Sequence, residues 1–164
     1  MDVANVDIRL ACEADAESVA HLLLELFEEL ASPKTSGYQL AAVTHTARNL
    51  LQGRDPVWAF LAEAGGDTIG VITLNECAAI YAGGRFGEIS ELYVRARFRA
   101  LGVGKRLLAA AVQFARERGW SRLEVGAPEI PRWERAVTFY RQAGFAEVGP
   151  RLKLDLGPNA VGAA

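Results

Sequence analysis

Residues 88 to 106 read Glu88-Ile-Ser-Glu-Leu-Tyr-Val-Arg-Ala-Arg-Phe-Arg-Ala-Leu-Gly-Val-Gly-Lys-Arg106: a strand-type run, a loop crowded with arginine and glycine, and the start of a helix. A glycine-bearing turn lets the chain bend tightly and lets a ligand come close to the backbone. The N–H groups at a helix start lack acceptors of their own, and together with the helix dipole they favour an anion. Arg99, Lys105 and Arg106 bring positive charge to the same place. A phosphate-bearing ligand is expected. The spacing excludes two common nucleotide loops. A dinucleotide fingerprint needs Gly where Leu107 stands, and a P-loop needs Gly at 99 and Ser or Thr at 106, both of which are Arg.

Outward from this stretch the elements alternate. Before it, Val57–Ala64 and Thr68–Cys77 are β-type runs joined by Gly65-Gly66-Asp67, the chemistry of a hairpin turn. Ala82-Gly-Gly-Arg85 then leads into Phe86–Val94, so three strands form an antiparallel meander. After it, Val103–Arg118 is a helix with Val103, Leu107, Leu108, Ala111, Val112 and Ala115 on one face, stopped by Gly119. Arg122–Gly126 returns as a strand, making a parallel crossover. A helix from about Trp133 to Ala143 and a strand over Ala146–Leu156 complete the reading. At the other end, Val6–Leu10 is a short strand and Ala14–Ala31 an amphipathic helix, with apolar Val19, Leu22, Leu23, Leu26, Phe27 and Leu30. Turn residues at 32–37 end that helix, and Leu40–Leu51 offers a weaker one. The fold class is α+β, a mixed, mostly antiparallel sheet with helices on both faces. One domain spans 1–156, and 157–164 form a flexible tail.

Arg99-x-x-Gly102-x-Gly104, between the fourth strand and the third helix, resembles the coenzyme A signature of the GNAT superfamily, the GCN5-related N-acetyltransferases. The flanks agree: Glu91-Leu-Tyr-Val94 before it, and Arg135-Ala-Val-Thr-Phe-Tyr-Arg-Gln-Ala-Gly-Phe145 after it. The resemblance is specific from about 57 to 149, and the first fifty residues carry no diagnostic motif. It implies the GNAT fold and an N-acetyltransferase that moves acetyl from acetyl-CoA to a primary amine of a small molecule or peptide. A catalytically inactive coenzyme A-binding or interaction module on the same fold is the alternative.

The resemblance also implies roles. The backbone of Leu92, Tyr93 and Val94 pairs with the pantetheine arm, on a strand that in the family carries a bulge. Arg99, Gly102, Val103, Gly104 and Lys105 hold the pyrophosphate. Tyr140 matches the family's general acid, and a phenol with a pKa near 10 keeps its proton at neutral pH for a departing thiolate. The attacking amine must be uncharged, so a carboxylate base is expected nearby, and Glu91 and Glu88 are the candidates. Strict alternation places these two on opposite faces. Glu91 is favoured as base because it is closer to the loop, and Glu88 is left as a substrate contact. Attack is direct, because no Cys or Ser stands beside a His. One departure is Trp133, where family members often have Asn.

Composition narrows the rest. The chain is 51% hydrophobic and 23% charged, within the globular range. No apolar stretch is longer than that of Leu107–Val112, far below the roughly 18 residues of a membrane span, and the start shows no signal-peptide pattern, so a cytoplasmic location is expected. Cys12 and Cys77 are expected as small buried hydrophobes, and His21 and His45 as ordinary helix residues; no metal motif is present. Residues 1–30 hold eight acids and one Arg, whereas 85–122 hold nine bases and three acids. In a chain of net charge −2, a local basic region fits a small anionic ligand better than nucleic acid. Glu25, Glu28 and Glu29 are expected on a solvated helix face. A homodimer is an expectation of the family alone.

Overall fold

The computed structural model of the chain describes residues 6–30, 37–126 and 134–149. Its elements are β1 (Asp7–Leu10), α1 (Ala16–Leu30), α2 (Leu40–Leu50), β2 (Val57–Ala64), β3 (Asp67–Ala79), β4 (Gly84–Val94), α3 (Val103–Glu117), β5 (Leu123–Val125) and α4 (Glu134–Gln142). The five strands form one sheet in the order β1-β2-β3-β4-β5. The first three junctions are antiparallel, and β4–β5 is parallel, reached through α3.

Alternation along the strands sorts the apolar residues into two cores. Ala62, Ile72, Leu74 and Ile89 pack with Leu107, Leu108 and Ala111 of α3. Ala59, Leu61, Val71 and Tyr93 pack on the other face with Val19, Leu22 and Leu23 of α1 and Ala47 of α2. Leu61, Ile72, Leu74 and Leu107 are fully buried, and each such side chain stabilises the fold by about 1.5–3 kcal/mol through burial. The parallel junction depends on one close approach. A Cβ on Gly87 would overlap the Trp120 ring, which lies against β4 just before β5 begins. Trp120 is itself held by a hydrogen bond from Nε1 to Glu76 Oε2 at 2.6 Å.

The N-terminal strand is tied by charge to the turn that leads into α1 and to β2. Arg9 donates to both Asp15 oxygens at 2.7 and 2.8 Å and to Glu63 Oε1 at 2.7 Å. These bonds hold the Asp15 carboxyl well below the ordinary carboxylate range.

Three expectations are corrected or cut short. Cys12 is exposed, at the turn before α1, and Cys77 is half-buried, so neither is a core residue. The strand expected over 146–156 is irregular in its described part, 146–149, and the remainder lies outside the described residues, as do Trp133 and the tail. His21 and His45 lie exposed on α1 and α2, as expected. Among the described residues no group of His, Cys, Asp or Glu could hold a metal ion, and no helix is long and apolar enough to cross a membrane.

Candidate active site

The ladder between β3 and β4 skips once. Thr73 pairs with Glu91 and Leu74 with Ile89, which leaves Ser90 without a partner across the strands. One extra residue on one strand is a β-bulge, and it resets the side-chain alternation. Ile89 before it and Leu92 and Val94 after it all join the α3 core, while Tyr93 joins the α1 core. Glu88 and Glu91 therefore share the α1–α2 face of the sheet. The opposite faces expected from strict alternation are wrong because that expectation contained no bulge.

On this shared face a cavity of about 380 Å³ opens between the sheet and helices α1 and α2. Glu91, Ser90, Thr73 and Asn75 form its polar wall, whereas Leu23, Phe27, Val43 and Leu50 belong to its apolar side. The polar groups are cross-braced. The Thr73 hydroxyl donates to Glu91 Oε2, the Glu91 N–H donates to Thr73 Oγ1 at 3.0 Å, and Ser90 donates to Asn75 Oδ1 at 2.7 Å. Burial pushes the Glu91 carboxyl above its ordinary value, the Thr73 hydrogen bond opposes that shift, and the charge of Glu88 adds to it. Glu88 lies deeper along the strand, with Oε2 3.8 Å from Cys77 Sγ. Thr73, Asn75 and Ser90 were not singled out from the sequence, because only the register places them beside Glu91.

The second part of the site is an open strand edge. Pairing between β4 and β5 ends at Ile89 and Val125, and among the described residues 90–94 have no strand partner on that side. Beyond Val94 the chain reaches Gly102, which takes φ +82° as it caps α3 and has open space where a Cβ would stand. The first helical amide to find an acceptor is that of Arg106, on the Gly102 carbonyl at 3.1 Å. The N–H groups of Val103, Gly104 and Lys105 thus precede the first intrahelical bond. Val103 is buried through its side chain, so only its backbone is available, while Lys105 is exposed. An unpaired edge, an unobstructed glycine and a set of helix-start amides fit a ligand with an extended amide arm and a pyrophosphate.

The arginines of the loop are not waiting for that ligand. Arg95 pairs with Glu25 at 2.9 Å, Arg97 with Asp67 at 3.6 Å and Arg99 with Glu29 at 2.6 Å. Arg99 also donates from Nε to the Val94 carbonyl at 2.7 Å and stacks on the Tyr93 ring. The Tyr93 hydroxyl lies 3.2 Å from carboxylate oxygens of both Glu25 and Glu29. Burial and these two charges push its pKa up to about 12. Of the three glutamates expected on a solvated face, only Glu28 is exposed; Glu25 and Glu29 clamp α1 onto β4 and the loop. The acidic first segment thus meets the basic middle through two pairs, Glu25 with Arg95 and Glu29 with Arg99. Lys105 and Arg106 carry no carboxylate partner among the described residues.

Tyr140 lies on α4, edge-on to Phe139 and Phe145 with ring centroids 5.2 and 5.4 Å away. Phe139 reaches the start of α3, where a Cβ on Gly104 would stand 3.7 Å from its ring. This places the Tyr140 segment beside the glycine turn. Burial alone pushes the phenol up to about 12.

The family model described as the acetyltransferase (GNAT) family matches residues 19–145. A glucosamine 6-phosphate N-acetyltransferase of Trypanosoma brucei brucei is 26% identical over 156 residues, covering 94% of this chain and 99% of the relative. Among solved structures, a ribosomal-protein-alanine N-acetyltransferase from Brucella melitensis biovar Abortus 2308 superposes with a TM-score of 0.73 at 28% identity, covering 93% of this chain and 99% of that one. An aminoglycoside acetyltransferase from an uncultured soil metagenomic sample shares the fold, with a TM-score of 0.77 at 20% identity over 94% of this chain and 99% of its own.

Proposed function

The chain belongs to the acetyltransferase (GNAT) family, and we propose that within it this protein moves acetyl from acetyl-CoA to the primary amine of a small molecule or peptide by direct attack. The observation that carries this reading is the bulge at Ser90. It turns Glu91 into the cavity while the strand beyond it keeps an open edge, so a carboxylate and a thioester-bearing arm meet on one strand.

Acetyl-CoA supplies an activated acyl group when bound. The amides of 103–105 and Lys105 hold its pyrophosphate, and the backbone of Leu92, Tyr93 and Val94 pairs with its arm. The side chain of Tyr93 is committed to α1, so only its backbone has this role. Glu91 takes a proton from the incoming ammonium, directly or through water, and its raised pKa makes it a better acceptor than an ordinary carboxylate. Tyr140, with its pKa raised, keeps its proton across the neutral range and delivers it to the departing thiolate. Glu88 is not among the described residues lining the cavity, and it acts through Glu91, whose pKa its charge raises further.

The test is thiol release from acetyl-CoA against a panel of amines, for wild type and Tyr140→Phe. Amine-dependent release that collapses in the variant supports the reading. Unchanged release in Tyr140→Phe would remove Tyr140 from the chemistry.

A further inference from the structure

From the chemistry of the cavity we propose that the acceptor is a primary amine on an apolar, aromatic or branched aliphatic body, with a single positive charge and no phosphate. The proposal rests on the acetyltransferase reading and concerns the acceptor half of the same site.

Charge is the first argument. Among the described residues lining the cavity there is one carboxylate, Glu91, and no Lys, Arg or His. A phosphorylated sugar would leave its dianion facing apolar wall and a carboxylate, at a large desolvation cost. A polycation such as a polyamine or an aminocyclitol needs several acceptors, and this wall has one. The nearby carboxylates of Glu25 and Glu29 are held by Arg95 and Arg99, so α1 brings no further charge to the amine.

Shape and polarity are the second. Thr73 donates to Glu91, Ser90 to Asn75 Oδ1 and Asn75 Nδ2 to Cys77 Sγ at 3.1 Å, and Thr46 is bonded back to the Ala42 carbonyl at 3.0 Å. The wall therefore has few idle groups with which to read a polyhydroxylated ring. Opposite, Phe27 of α1 and Tyr38 ahead of α2 lie with ring centroids 4.8 Å apart and planes tilted by 40°, and Leu23, Val43, Ala47 and Leu50 continue the apolar surface. The volume of about 380 Å³ is near the lower end of the roughly 300–1,000 Å³ usual for small-molecule pockets. It suits a one- or two-ring amine.

Phenethylamine, tryptamine, isoamylamine, glucosamine 6-phosphate, spermidine and kanamycin are compared as acceptors by thiol release, and acetyl-CoA binding is followed separately by thermal shift. The expected result is a kcat/KM for the apolar amines higher by about tenfold or more than for the other three. Ala47→Phe, which fills the apolar side without touching Glu91, should raise KM for tryptamine while the acetyl-CoA thermal shift persists; that shift also reports that the variant is folded. Preference for the phosphosugar, spermidine or kanamycin would overturn the acceptor class and leave the transferase reading standing. Absence of both thiol release and an acetyl-CoA shift would overturn the two together.

Discussion

Arg99 Nη2 lies 2.6 Å from Glu29, so the arginine that precedes the glycine turn is bound to a carboxylate of α1. A donor pyrophosphate that uses Arg99 must compete with Glu29, and the same helix carries Leu23 and Phe27 into the cavity beside Glu91. The two halves of the site thus share one helix.

Glu29→Gln should tighten acetyl-CoA. A half-exposed ion pair contributes about 0.5–1 kcal/mol, which corresponds to roughly two- to fivefold in affinity. Titration calorimetry should find the gain largest at low salt, where the native pair competes best. Weaker binding in the variant would mean that Arg99 does not serve the donor.

Tyr140→Phe should lower kcat by about 100-fold or more, with KM for the amine little changed, because the lost proton is needed only as the thiolate leaves. Steady-state kinetics on wild type and variant separate the two parameters. A rise in KM alone would make Tyr140 a packing residue among Phe139 and Phe145.

Gly87→Ala should destabilise the fold by about 1–3 kcal/mol, because its methyl group would overlap Trp120 at the β4–β5 junction. Denaturant unfolding measures this. A variant as stable as wild type would show that Trp120 has another place to pack.

Asp15 makes stability depend on acid. Arg9 holds its folded pKa below the unfolded value, so its contribution is present above about pH 4 and is lost as pH falls from there toward the folded value. Discounted for solvent access, the pair contributes about 1 kcal/mol. Thermal melts of wild type and Asp15→Asn from pH 7 to pH 2 should differ most at pH 7 and converge in acid.

Most of the fold is legible in the sequence because the periods are clean. The hairpin at Gly65-Gly66, the α3 face and the crossover all occur where apolar spacing and turn residues place them. The bulge is not legible locally: apolar residues fall at 89, 92, 93 and 94, and Ile89 with Tyr93 keeps the even spacing of strict alternation, so the residues permit a regular strand and only the register with β3 shows that this reading is an error. The error reversed the relation of Glu88 to Glu91. Other features leave no local trace. The pairing of Glu25 and Glu29 with Arg95 and Arg99 spans 70 positions and depends on how α1 crosses the sheet. The brace of Thr73 on Glu91 likewise exists only through strand register.

The role proposed for Glu91, half-buried and braced by Thr73, is to take the proton of the acceptor amine. It is tested most directly by the pH dependence of kcat/KM for wild type and Glu91→Gln, with an amine the enzyme accepts. Protonation silences the base, so the wild-type rate should fall in acid through a pKa above the ordinary carboxylate value of 4.5. Glu91→Gln should lose about 100-fold or more and with it that acid limb, while acetyl-CoA still stabilises the protein. An acid limb unchanged in Glu91→Gln, at near wild-type rate, would contradict the account and move the base to another group.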